Sequence, residues 1–201
     1  MKFKTIKKKV HTKFTEKGSK FIGHAFPVSS EDEAERVLKE VRKTYYDATH
    51  NCYAWRVGTG KDELFRYSDD GEPSGTAGKP IFDMLDKHGV TNLLVVVTRY
   101  FGGTKLGTGG LVKAYSQSAD LTLSEARIIT REIGIKAQIT CTYEEHPHIM
   151  RILSTYPVIR LNQEFTETVL ITVEIDKTHL PNLQQDIINA TAGKRYLLEI
   201  G

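Results

Sequence analysis

Cysteine is scarce: Cys52 and Cys141 are the two thiols among 201 residues. They are too few for a disulfide framework, which points to a reducing compartment and an expected cytoplasmic location. No apolar run approaches the roughly eighteen residues needed to span a bilayer. The opening Met1-Lys2-Phe3-Lys4 carries no apolar signal segment, so a soluble protein with no membrane partner is expected. The standard nucleotide motifs are also missing. A Walker-type loop wants Lys then Ser/Thr after its last glycine, but Thr108 follows Gly107, and a dinucleotide fingerprint opening at Gly107 meets Val112 where glycine or alanine belongs. These absences exclude a standard ATP or NAD site. There is no dinuclear metal constellation, internal repeat or low-complexity segment, and neither a cofactor nor a metal is expected.

What is abundant is glycine, in one place. Residues 99–115 hold Gly102, Gly103, Gly107, Gly109 and Gly110 together with Arg99, Lys105 and Lys113, directly after the apolar run Leu93–Val97. Glycine loses more backbone entropy on ordering than any other residue, so this density marks positive φ angles or close approach by another backbone or a ligand. The apolar run reads as a buried strand and Leu111–Ser124 as a helix. The loop between them is either a tight strand-to-helix turn or a cradle whose amides, helix end and three cations hold a phosphate-like anion, such as a nucleic-acid backbone.

A second loop, Tyr67–Pro80, has the opposite charge in Asp69, Asp70 and Glu72. Gly71 and Pro73 mark a turn, and Ser74 or Thr76 is placed to cap a helix running to about Lys87 with Ile81, Met84 and Leu85 inward. The carboxylates can serve as helix electrostatics, bind a cation that bridges to the same anion, or pair with Arg99 or Lys105. Upstream, Thr49–Arg56 alternates like a strand that puts His50, Cys52, Ala54 and Arg56 in one row and Tyr53 and Trp55 in the core on the other. A thiol beside an imidazole is the raw material of a cysteine nucleophile. It is also ordinary core packing, and Cys52 is expected to be structural.

His50-Asn-Cys52, Ser68-Asp-Asp-Gly-Glu-Pro-Ser-Gly-Thr-Ala-Gly-Lys-Pro80 and Thr98-Arg-Tyr-Phe-Gly-Gly-Thr-Lys-Leu-Gly-Thr-Gly-Gly-Leu-Val-Lys-Ala-Tyr115 resemble the signature blocks of the IMPACT/YigZ family. The likeness spans roughly residues 1–130, and the remainder resembles the small C-terminal domain of bacterial members. It implies an α+β chain of two domains. The first is similar to ribosomal-protein and elongation-factor-G domain IV folds, and the second is a ferredoxin-like domain similar to elongation factor G domain V. It also implies a link to translation control, since eukaryotic relatives compete for an activator of a stress kinase.

Charge supports a division near residue 130. Residues 1–130 carry 21 Lys/Arg against 16 Asp/Glu, net +5, whereas 131–201 carry 7 against 9, net −2. Eight lysines in residues 1–20 face only Glu16, either as a solvated arm or as part of a field attractive to phosphate. Strands are expected at about Phe21–Pro27, His50–Val57, Leu64–Tyr67 and Thr91–Val97, with a helix capped by Ser29-Ser30 and packed through Ala34, Val37, Leu38 and Val41. Domain 131–201 reads as strand (Ile133–Thr142), helix (Glu144–Thr155), strands (Val158–Phe165, Thr168–Ile175), helix (His179–Ala192) and strand (Arg195–Ile200), a βαββαβ order. The leading functional reading is a translation-associated regulator that binds RNA or the ribosome through Arg99, Lys105, Lys113 and the glycines, with a protein partner in translation control as a further option. Two alternatives stay open: a hydrolase using His50, Cys52, Asp69, Asp70 and Glu72 on a small phosphorylated or peptide substrate, and a non-catalytic protein-interaction module.

Overall fold

The computed structural model describes residues 2–132 and 134–200. In chain order the elements are β1 (Lys2–Ile6), β2 (Val10–Glu16), β3 (Ser19–Pro27), α1 (Glu31–Thr44), β4 (His50–Val57), β5 (Leu64–Ser68), α2 (Gly78–His88), β6 (Leu93–Tyr100) and α3 (Gly107–Glu125). They continue with β7 (Ile128–Glu132), β8 (Ile135–Cys141), α4 (His146–Leu153), β9 (Val158–Phe165), β10 (Val169–Ile175), α5 (Leu180–Ala190) and β11 (Leu198–Ile200). The chain divides into two compact units, Phe3–Arg131 and a second running from Glu132 onward together with Lys2.

The first unit is a mixed α/β layer structure. Its five-stranded sheet has the order β2-β3-β6-β4-β5, with antiparallel pairing throughout. Leu93–Val97 in β6 is buried along its whole length, because both faces of the sheet are covered and alternation has no solvent side to reveal. α1 covers one face through Ala34, Leu38 and Val41, packed on Tyr53, Trp55, Val57, Leu94 and Val96. α2 and α3 cover the other, where Ile81, Leu85, Leu111, Tyr115 and Leu123 meet Phe21, Ala25, Cys52, Ala54 and Val95. α1 starts as expected: the Ser30 hydroxyl accepts from the Glu33 amide at 3.2 Å, while the Glu33 carboxylate accepts from Ser29 N and Oγ at 2.7 Å each. This is reciprocal capping worth about 1 kcal/mol.

The second unit is a four-stranded antiparallel sheet of order β11-β8-β10-β9 with α4 and α5 on one face. In β10 the side chains of Val169, Ile171, Val173 and Ile175 are buried and alternate with half-buried ones, the period of two that a one-sided sheet imposes. They pack on Ile149, Leu153, Leu183 and Ile187. The βαββαβ order is thus observed.

Several boundaries differ from expectation. β1 and β7 form a two-stranded ribbon that the lysine-rich and Arg-rich sequences concealed. The strand expected from Ile133 begins at Ile135, and Ile133 itself lies outside the described residues. α3 begins at Gly107 rather than Leu111: three glycines in its first turn lower helix propensity, and burial of Leu111, Ala114 and Tyr115 overrides it. No helix among the described residues is long and apolar enough to cross a membrane.

Each unit has its own hydrophobic core. Limited proteolysis is therefore expected to cut first between Arg131 and Ile135 and to release a C-terminal piece that keeps its secondary structure by circular dichroism. Loss of both cores in one step would contradict this.

Candidate anion-binding site

The site begins with β4. His50, Cys52 and Ala54 point toward α2 and α3, and Tyr53 and Trp55 toward α1, so the expected two-face division holds. Beneath the first row runs the acidic turn. Asp69 O accepts the Glu72 amide at 2.9 Å, with positive φ at Asp70 (45°) and Gly71 (90°), the geometry of a mirror-image turn that favours Asp and Gly. A side chain at Gly71 would begin 3.3 Å from the His50 ring. The turn's carbonyls clamp β4: the Cys52 thiol donates to Asp69 O at 2.9 Å and His50 Nδ1 donates to Asp70 O at 2.8 Å. The second bond uses Nδ1, and Nε2 lies 3.8 Å from Glu72 Oε1.

The three carboxylates do three different things. Asp69 accepts from the amides of Gly75 (2.8 Å), Ala77 (2.9 Å) and Gly78 (2.8 Å). It is therefore the N-terminal cap of α2, which corrects the expectation that Ser74 or Thr76 caps it; the Thr76 hydroxyl instead donates to Pro73 O. Asp70 accepts from Arg42 Nη2 at 2.5 Å and from the Asn51 amide at 2.7 Å. Glu72 is buried, and its Oε1 accepts from Arg99 Nη1 at 2.6 Å and Tyr115 Oη at 2.8 Å. Of the pairings open in the sequence, the Arg99 one is realised and the Lys105 one is not.

Arg99 is 5% exposed. Its guanidinium carbon lies 5.6 Å from the Phe21 ring centroid and 5.7 Å from that of Phe101, and Nη2 reaches Ser19 Oγ at 3.3 Å. Its Nε is buried without a hydrogen-bond partner among the described residues. Above this floor opens a pocket of about 380 Å³ lined by Thr49, His50, Glu72, Pro73, Arg99, Phe101 and the Lys105–Thr108 and Leu111 stretch at the head of α3. No side chain among the described residues caps α3, so its first amides are available to an anion. Lys105 is exposed at the pocket wall and makes no ion pair among the described residues.

The structure thus gathers His50, Glu72, Arg99, Lys105 and Gly107 around one pocket. Cys52, Asp69 and Asp70 lie behind it as supports, and Lys113 is exposed farther along α3. Positive φ occurs at Gly103 (87°) and Gly107 (74°) but not at Gly109 or Gly110, which lie in the first helical turn. Close backbone approach is the requirement at Gly102, where an added Cβ would sit 1.8 Å from the Gly18 carbonyl carbon. That contact sets the Lys17-Gly18 turn of the lysine-rich β2–β3 hairpin beside the glycine loop. Tyr115, Arg42, Ser19 and Phe101 were missed as site residues. Tyr115 and Phe101 stand inside the glycine block, whereas nothing near Arg42 or Ser19 signals their role.

The thiol is poorly suited to nucleophilic attack. Burial pushes Cys52 well above the usual thiol range, the neighbouring Glu72, Asp70 and Asp69 carboxylates add to this, and Tyr115 only partly opposes it. The Tyr115 phenol is likewise raised by burial, then by Cys52 and Glu72, so it remains a donor. On the opposite sheet face His24 stands 2.7 Å from His11 Nδ1 and 3.2 Å from Thr98 Oγ1, which donates to Asn51. Burial, then His11 and Lys13, push His24 down to about 4, so it packs as a neutral ring. No group of three or more His, Cys, Asp or Glu among the described residues is placed to hold a metal ion.

Comparison with known proteins adds to this geometry. Residues 17–123 match the model of the Impact N-terminal domain, and residues 139–194 match a domain of unknown function, DUF1949. The IMPACT family member YvyE of Bacillus subtilis (strain 168) is 44% identical over 115 residues, 57% of this chain and 52% of YvyE, so the match spans about half the length of that relative. The IMPACT family member YigZ of Escherichia coli (strain K12) is 32% identical over 185 residues, 92% of this chain and 91% of YigZ. A crystal structure of a hypothetical protein, 30% identical, superposes with a TM-score of 0.74 over 100% of this chain and 98% of that one.

Two outcomes follow from the geometry. Thiol labelling of the native protein is expected to be slow at Cys52, with rapid modification that His50→Ala abolishes as the contrary result. The Asp69 carboxyl is affected first by burial, which opposes ionisation, but three backbone amides outweigh this and hold it below the usual aspartate range. A carboxyl with a depressed folded-state value stabilises fully above its unfolded value and loses that contribution as pH falls through the folded one. Asp69→Ala is therefore expected to cost about 1–2 kcal/mol in denaturant unfolding near neutral pH, and the difference from wild type should shrink below about pH 4.

Proposed function

Since this chain belongs to the IMPACT family, we propose that it is a translation-associated regulatory protein that binds RNA, on or off the ribosome, by taking a backbone phosphate at the head of α3. The observation that carries this reading is the first turn of α3, without a side-chain cap among the described residues, opening on the pocket beside Lys105, which makes no ion pair among them. Helix amides and a nearby full charge are the ingredients of phosphate capture. The surrounding field supports it. Lys17 is exposed in the turn of the β2–β3 hairpin that touches the glycine loop, and a lysine there adds to both encounter rate and salt dependence.

Arg99 has a different role from the one its sequence position suggested. It is neutralised by Glu72, so it shapes the pocket floor while Lys105 and the helix amides supply the attraction. Lys113, exposed farther along α3, adds charge on the helix without lining the pocket. The element order supports reading the second unit as ferredoxin-like, similar to elongation factor G domain V, and the first as the ribosomal-protein and domain IV type. A cytoplasmic setting and a protein partner in translation control belong to the same proposal. The hydrolase reading loses its nucleophile, because Cys52 is buried and its thiol is already donating.

Fluorescence anisotropy with a short RNA at several salt concentrations tests this. Lys105→Ala and Lys113→Ala are each expected to weaken binding similarly across sequences and to lower the log–log salt slope by about one. Wild-type protein without salt-dependent affinity, or lysine variants that bind like wild type, would refute it.

A further inference from the structure

The pocket at the head of α3 is more elaborate than phosphate capture requires. Pro73, Phe101, Leu106 and Leu111 give it apolar walls, and a bare phosphate has no use for these. Phe101 is 48% exposed, yet it is held in place, with its amide donating to Thr49 Oγ1 at 3.0 Å and the Arg99 guanidinium against its ring. A large aromatic fixed at a pocket wall and left open to solvent is a stacking platform for a flat ring. The floor is closed by the buried Arg99–Glu72 pair.

Apolar walls, a stacking ring, and helix amides with Lys105 at the mouth fit one nucleotide with its phosphate. About 380 Å³ falls in the range of small-ligand sites and has no room for a base pair. We propose that the pocket takes a single unstacked nucleotide of an RNA strand, with its base against Phe101 and its phosphate at the first amides of α3. This rests on the RNA-binding reading above and narrows it to single-stranded segments, because in a duplex the base faces are covered by stacking.

The test compares a short unstructured RNA with the same strand annealed to its complement, by anisotropy across a salt series. Wild type is expected to prefer the single strand. Phe101→Leu, which keeps an apolar side chain but removes the aromatic face, is expected to weaken single-strand binding about tenfold while leaving the salt slope unchanged, and Phe101→Trp to restore it. Lys105→Ala should instead lower the slope for both RNA forms. Salt-dependent binding in which Phe101→Leu behaves as wild type, or in which the duplex binds as tightly as the single strand, overturns the nucleotide pocket and leaves the phosphate reading standing. Absence of salt-dependent binding to either form overturns both.

Discussion

The buried pair of Arg99 and Glu72 is the interaction on which the rest of the first unit's site depends. The two charges approach to 2.6 Å with side chains 6% and 4% exposed. Removing water from both is costly and is offset by their attraction, the Tyr115 hydroxyl on Glu72 and the Phe21 and Phe101 rings beside the guanidinium. Taking away one partner would strand the other, a loss of about 3–5 kcal/mol. The pair ties the end of β6 to the acidic turn and to α3 at once, so it holds in register the three segments that wall the pocket.

The acidic turn shows how one short segment serves several structural ends without excess charge. Its carboxylates are divided among the head of α2, Arg42 of α1 and Arg99 of β6, while its carbonyls hold the Cys52 thiol and the His50 imidazole. Each negative charge has a local cation or a set of amides. The turn therefore does not cancel the positive field of Lys105 and of Lys17 in the hairpin turn, which is left to act on an outside anion. The same division removes the cysteine from chemistry, because a buried thiol that donates to a carbonyl beside the buried Glu72 and half-buried Asp69 and Asp70 carboxylates is held in its protonated form.

Glycine enters the site for two distinct reasons. At Gly102 there is no space for a Cβ against the Gly18 backbone, whereas at Gly103 and Gly107 the backbone itself lies at positive φ. Gly109 meets nothing within 4 Å where its side chain would be. Its smallness matters only toward the outside, where it leaves the helix end uncovered.

What the sequence determined by itself was the set of elements and the three blocks from which the site is made. Apolar periodicity, the Ser29-Ser30 cap and the βαββαβ order are local patterns, each written within a dozen or so neighbouring residues, and they survive folding with small changes at the ends. Tertiary structure alone decided which charge meets which partner. Nothing in the spacing of Asp69, Asp70 and Glu72 distinguishes a helix cap from an Arg42 partner from an Arg99 partner, and the roles of Ser19, Tyr115 and Gly102 exist only once β3, α3 and the hairpin turn are packed together. The same holds for α3, whose glycine-rich first turn is a poor helix by propensity and becomes one because Leu111 and Tyr115 are buried behind it. Local rules act through the bonds of one segment. Partner choice is set by distances across the core, which no single segment contains.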